Sequence, residues 1–150
     1  MQVLTPNVET QSISQDHLTE LEFSSLQLPG KLLEGIVDAG FSRCTPIQSK
    51  TLPLALRGQD VAGQAQTGTG KTAAFLVALF SRLIETTPQP AKIPETRALI
   101  LAPTRELAVQ IHADAVLVGN HLPFKLVLSY GGTVYEKQRR TLAEVVDILI

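Results

Sequence analysis

The run Ala65-Gln66-Thr67-Gly68-Thr69-Gly70-Lys71-Thr72 constrains this chain more than any other stretch. Gly68 and Gly70 carry no Cβ, so the backbone can turn sharply and bring successive N–H groups together. The pattern is A-x-x-x-x-G-K-T, a phosphate-binding loop with Ala65 where the first Gly usually stands. That position sets the turn and touches no metal. The loop N–H groups and the positive end of the following helix would face a polyphosphate. Lys71 would place an ammonium near the β and γ phosphates, and Thr72 a hydroxyl on the Mg²⁺ bridging them. Gln66, Thr67 and Thr69 complete the loop. The plainer alternative is a Gly-rich turn ahead of an ordinary helix start. Context favours the loop. Gln59 to Gly63 predicts a short buried strand. Thr72 to Glu85 predicts a mostly buried helix through Ala73, Ala74, Leu76, Val77, Leu79, Phe80, Leu83 and Ile84.

With 150 residues, 44% of them hydrophobic and 18% charged, the chain suits one soluble domain with a full core. The net charge of −1 excludes a polycation. Residues 1–25 hold Glu9, Asp16, Glu20 and Glu22 and no Lys or Arg. That leaves 13 basic against 10 acidic residues beyond them, which permits a nucleic-acid surface without arguing for one. The single cysteine, Cys44, excludes an internal disulfide and suits a reducing compartment. It reads as a small packed residue, because no His is near it in sequence. His17, His112 and His121 show no metal-ligand spacing, so the only metal expected is Mg²⁺ arriving with a nucleotide. No leader-like start and no membrane-length apolar run is present, and the cytoplasm is the expected compartment.

Residues 1–20 are polar and aperiodic and predict a flexible tail; residues 21–150 form the domain. Pro29 opens a helix with Leu32, Leu33, Ile36 and Val37 on one stripe, and Gly40 ends it as a left-handed cap. Thr45, Pro46 and Gln48 form a capping-box pattern at the next helix, which runs to Leu56 and which Pro53 should kink or split. Gly58 ends it. Thr86 to Thr96, with Pro88, Pro90 and Pro94, is a surface loop. Strands are expected at 98–102, 126–130 and 146–150, each a nearly continuous apolar run suited to burial in a parallel sheet. A helix opened by Pro103, Thr104, Arg105 and Glu106 buries Leu107, Ala108, Ile111, Ala115 and Val118, and Gly119 and Pro123 close it. Gly131-Gly132 turn the chain. A last helix spans Val134 to Glu144, where Lys137, Arg139 and Arg140 make a solvated basic face. Strand–helix alternation predicts an α/β fold, a parallel sheet with helices on both faces. Ending on a strand predicts a partial domain with an exposed sheet edge prone to aggregation.

Gln48 carries two readings. Its amide can reach back to the Thr45 N–H as the cap requires, or pair with N6 and N7 of adenine, for which one acceptor and two donors suffice.

Four motifs now stand in one order. Gly40-Phe41 through Gln48, with Phe23 ahead of them, resembles the Q motif of DEAD-box RNA helicases. Ala65 to Thr72 is similar to their motif I, Pro103-Thr104-Arg105-Glu106-Leu107-Ala108 to motif Ia, and Gly131-Gly132 to their GG doublet. The resemblance covers about residues 20 to 150. Asp60 to Thr72, Glu106 to Ala115 and Cys44 look most like the bacterial RhlB branch, which works in RNA turnover. The resemblance implies a RecA-like P-loop domain, an incomplete first lobe of a two-lobe helicase. It implies that Gln48 reads adenine, that Phe41 stacks on it and that Phe23 supports the motif. Lys71 and Thr72 would then serve ATP and Mg²⁺. Thr104, Arg105, Gly131 and Gly132 would hold an RNA backbone without reading sequence, while Glu106 keeps a structural role. It further implies a monomer that couples ATP hydrolysis to local duplex unwinding, with contacts to RNA-degradation machinery through other regions and none with membrane. The acidic D-E-A-D sequence does not occur in these residues, so this chain is expected to bind adenine nucleotide weakly at most and not to hydrolyse it. Two other readings are a different P-loop ATPase or kinase, and a non-enzymatic nucleotide- or RNA-binding module.

Overall fold

A computed structural model describes residues 18–86, 96–132, 135–142 and 144–150. Most of the tail, His17, the three prolines of the 86–96 loop and Val134 lie outside the described residues. The described chain begins by running antiparallel to residues 42–44. Thr19 N–H donates to Cys44 O at 2.8 Å, Cys44 N–H to Leu21 O at 2.8 Å, and Phe23 N–H to Ser42 O at 3.1 Å. A 3₁₀ turn at Phe23–Ser25 follows, and then α1, Gly30–Asp38, with Pro29 just outside its first turn as the N-cap. Leu32 and Ile36 are fully buried, but Val37 is 60% exposed. At 100° per residue Val37 lies far around the helix from the Leu32–Ile36 line, so the expected stripe is one residue too wide. Gly35 permits close packing of α1 on the end of the fourth helix: a Cβ there would sit 2.1 Å from Val118 O. Asp38 seals the same junction through His121 Nε2 at 2.6 Å, and hydrogen bonds from His121 and then Asn120 hold its carboxyl below the usual carboxylate range. Gly40, at φ +82°, ends α1 as expected.

Helix α2, Pro46–Ala55, starts from the Thr45 cap and continues through Pro53. It is not split as expected. Pro53 stands in its last turn, where the lost N–H costs a single hydrogen bond and no further turns follow. Helix α3, Lys71–Glu85, is the centre of the molecule, packing against α1, α2 and the fourth helix. Leu76, Val77 and Phe80 are buried, about 1.5–3 kcal/mol each by transfer from water. Ser81 takes a buried place on this face, while Ile84 is 37% exposed.

Strands β1, Ala98–Leu99, and β2, Leu126–Val127, flank β3, Ile148–Leu149, in a parallel sheet of order β1-β3-β2. Ala98 and Leu126 both pair with Ile148. Between β1 and β2 runs α4, Arg105–Val118; between β2 and β3 runs α5, Tyr135–Leu142, inside the span expected of it, with Glu144 beyond the helix. Ala98, Ile100, Ala102, Leu126, Leu128, Ile148 and Ile150 face the helical core. Leu99 and Leu101, expected to be buried, are 61% and 83% exposed. Alternate residues point to opposite faces, and among the described residues β1 is an edge strand covered on one face only. The expected strand at 59–63 is absent as well. These residues are exposed and carry no ladder, since no described segment lies beside them to pair with. Arg97 ties the far end of α3 to the sheet through Leu83 O at 2.5 Å and Asp147 at 3.5 Å.

Candidate functional site

The loop Ala65–Thr72 sits at the head of α3. Gly70 is the N-cap of that helix in the left-handed region, φ +86°, and Gly68 is at φ +78°. The Lys71 ammonium folds back onto its own loop, donating to Ala65 O at 2.5 Å and to Gln66 O. Thr69 Oγ1 donates to Gln66 O at 2.8 Å. Thr67 is exposed, and Thr72 is half-buried in the first turn of α3. Every side-chain group here is a donor or neutral, with no carboxylate from Ala65 to Thr72. Loop N–H groups, an ammonium and three threonine hydroxyls at a helix N-terminus fit a polyphosphate. Of the three hydroxyls, that of Thr72, in the first turn of α3, is the one the sequence pattern assigns to a Mg²⁺ arriving with a nucleotide. Among the described residues no three His, Cys, Asp or Glu side chains come together as a metal site.

The Thr45–Gln48 pair is joined to this loop. The capping box is complete: Thr45 N–H donates to Gln48 Oε1 at 2.8 Å, and Gln48 N–H to Thr45 Oγ1 at 3.5 Å. Beyond the box, Thr45 Oγ1 donates to Thr69 O at 2.8 Å and Gln48 Nε2 to Gly70 O at 3.1 Å. A Cβ on Gly70 would fall 2.4 Å from Gln48 Nε2. Gln48 is only 1% exposed, and after these bonds one Nε2 hydrogen and one Oε1 lone pair remain. The structural and the base-reading roles of Gln48 therefore do not exclude each other.

Phe41 is half-buried and Phe23 is 1% exposed beneath it, ring centroids 6.4 Å apart and tilted by 45°. Phe23 is thus a core residue packed behind Phe41, and it offers almost no surface to a ligand. Cys44, next to Thr45, is fully buried and burial pushes its thiol up to about 11, which suits packing and not nucleophilic chemistry.

The second group of candidates lies at the head of α4. Thr104 caps that helix, its Oγ1 accepting from Leu107 N–H at 3.2 Å. Arg105 and Glu106 are exposed in the first turn. The Arg105 guanidinium lies over the Tyr130 ring, 4.5 Å from its centroid, which brings it beside the exposed Gly131-Gly132 turn. Arg139 and Arg140 on α5 are exposed. Sequence reasoning missed the bonds from Thr45 and Gln48 to the loop, the Tyr130 ring and the Gln138 amide, whose Nε2 donates to Tyr130 O at 2.7 Å. No local pattern marks any of them. The one available signal was that Gln48 belongs to a motif already identified and Tyr130 stands beside another.

Comparison with known proteins agrees with this layout. The family described as DEAD/DEAH box helicase matches residues 45–150. The "ATP-dependent RNA helicase RhlB" of Xanthomonas campestris pv. campestris (strain B100) is 57% identical over 139 residues, covering 92% of this chain and 24% of that protein. The protein of that name from Enterobacter sp. (strain 638) is 54% identical over 140 residues, covering 92% and 33%. The chain thus spans about a quarter to a third of the length of these relatives. Among solved structures, the RNA-helicase Prp28 from Chaetomium thermophilum bound to ADP superposes with a TM-score of 0.76 at 37% identity, over 88% of this chain and 32% of that one. A DEAD box protein from the hyperthermophile Methanococcus jannaschii gives 0.73 at 33% identity, over 87% and 34%. With a phosphate loop tied to a capping glutamine, a parallel sheet and this degree of identity, the chain belongs to the DEAD/DEAH box helicase family.

Proposed function

We propose that these residues form the nucleotide-binding part of an ATP-dependent RNA helicase, in which ATP hydrolysis is coupled to local unwinding of RNA. The observation that carries this reading is the pair of hydrogen bonds from Thr45 and Gln48 to the carbonyls of Thr69 and Gly70, which join the base-reading candidate to the phosphate loop. Lys71 binds the phosphates by leaving the Ala65 and Gln66 carbonyls. Thr72 holds the Mg²⁺ that arrives with ATP, Gln48 reads the adenine edge and Phe41 covers its face. Bound ATP with Mg²⁺ supplies the phosphoryl group whose transfer drives the cycle. This chain contributes binding and orientation, and turnover belongs to the longer protein. Thr104, Arg105, Gly131 and Gly132 hold an RNA strand by its backbone. The name of the relatives supports an RNA helicase of the RhlB kind; such an enzyme would work in the cytoplasm, and contacts with RNA-degradation partners would lie elsewhere in the protein. Among the described residues no helix is long and apolar enough to cross a membrane.

Calorimetric titration with ADP and with GDP tests the nucleotide reading. The expected result is ADP binding at least ten times tighter than GDP, with the difference largely lost in Gln48→Ala. Equal affinity for the two nucleotides in the unaltered chain would overturn adenine recognition. An ATPase or kinase of another kind, the main competitor, would also show turnover independent of RNA.

A further inference from the structure

We propose that Tyr130 is a positioning residue for RNA, holding the Arg105 guanidinium so that it and the Gly131-Gly132 turn act as one clamp on a single strand; this rests on reading those two stretches as RNA contacts. Arg105 and Tyr130 are 25 residues apart in sequence, one opening α4 and the other following β2. The guanidinium lies 4.5 Å from the ring centroid, and Arg105 Nη2 stands 3.5 Å from the Tyr130 hydroxyl. A guanidinium carries five N–H donors, and the contact with the ring and its hydroxyl engages one of them; the others suffice to take a phosphate by two parallel hydrogen bonds. A long side chain ordered before binding loses less entropy when it binds. The neighbouring Thr104 Oγ1 accepts the helix-cap bond and keeps its O–H to donate, and Arg105 is the cationic donor at this helix start.

The backbone under the ring is itself held. Gln138 Nε2 on α5 donates to Tyr130 O at 2.7 Å, and Gln138 Oε1 accepts from Ser129 Oγ at 2.8 Å. Immediately beyond, Gly132 turns the chain at φ +85°. A Cβ on Gly131 or Gly132 would meet no described atom within 4 Å. Among the described residues, packing therefore does not require their bare backbone, and the turn follows directly on the residue whose ring carries the guanidinium.

The test is binding of a fluorescent ten-nucleotide oligo(U) to the 150-residue chain across a range of KCl concentrations. Tyr130→Leu, Tyr130→Phe, Arg105→Ala and the Leu/Ala double variant are compared, with relaxation of the Arg105 Nε–Hε group measured without RNA. Tyr130→Leu is expected to weaken binding about two- to fivefold, the range of an exposed cation–π contact, and to loosen Arg105 in the free protein. Tyr130→Phe, which keeps the ring, loses less. Arg105→Ala lowers the salt slope by about 0.7, one phosphate contact on a single strand, and the double variant binds no more weakly than Arg105→Ala. Arg105→Lys keeps the charge but not the planar stack; it should weaken binding while preserving the salt slope, and it serves if Tyr130→Leu melts. A full additional loss in the double variant, or an Arg105 equally ordered without the ring, overturns the proposal while leaving RNA binding intact. Failure of the unaltered chain to bind at low salt overturns the RNA reading, and the clamp with it.

Discussion

The amide of Gln48 is bonded at both ends, to the Thr45 N–H and to the Gly70 carbonyl. A change at that residue therefore removes a helix cap, a tie to the phosphate loop and the proposed base contact together, and a lower affinity in Gln48→Ala would not by itself separate them. The ratio of ADP to GDP affinity does, because cap and tie are indifferent to the base. Gly70 gives a sharper single-residue prediction. Alanine at φ +86° costs about 1–2 kcal/mol in backbone strain, and its Cβ would displace the Gln48 amide. Gly70→Ala should lower ADP affinity at least tenfold while the far-ultraviolet circular dichroism of the helices persists. Near-unaltered binding in that variant would show that the tie is dispensable.

Among elements, α2 depends on its first turn. Thr45 supplies the cap and, through the same hydroxyl, the link to Thr69. Losing the cap costs about 1 kcal/mol and losing the second bond about as much again. Thr45→Ala should lower the urea midpoint accordingly, and Thr45→Ser, which keeps the hydroxyl, should lower it much less. The junction of α1 and α4 is the other element-level dependence. Gly35→Ala drives a methyl carbon to within 2.1 Å of Val118 O, and the two helices must separate to admit it. A loss of about 2 kcal/mol or more is expected in urea unfolding, within the range of overpacked cores. The sequence displayed the capping box of α2 directly and the stripe of α1 except at Val37, because both depend on residues within neighbouring turns. It did not display the need for Gly35, since the atom it avoids belongs to a helix 83 residues away.

For the whole molecule, ligand and proton linkage supply the tests. ADP at one hundred times its Kd should raise the unfolding free energy by about 2.7 kcal/mol, and GDP at equal concentration should not. Cys44 predicts a pH dependence of stability. In the unfolded chain its thiol ionises near 9.0, and in the folded chain it keeps its proton to about 11. Above pH 9 the unfolded state has released a proton that the folded state retains. Its contribution is therefore complete below pH 9 and is lost as the pH rises toward 11. Urea midpoints measured from pH 7.5 to 10.5 should fall more steeply for the unaltered chain than for Cys44→Ala. Parallel slopes would place the thiol in a more hydrated setting.

The sequence by itself determined the phosphate loop, the capping box, the starts of α2, α3 and α4 and the parallel sheet of an α/β domain. Each follows from rules that act over a few residues: glycine's backbone freedom, the N-cap bond to the third helical residue, and the right-handed path between parallel strands. The tertiary structure alone decided that Gln48 meets Gly70, 22 residues on, and that Arg105 meets Tyr130, 25 residues on. It also decided that β1 is covered on one face and that residues 59–63 form no ladder. A continuous apolar run in sequence is silent about how many of its faces will be covered. Which surfaces meet is settled by packing between distant elements, and spacing along the chain carries no term for it.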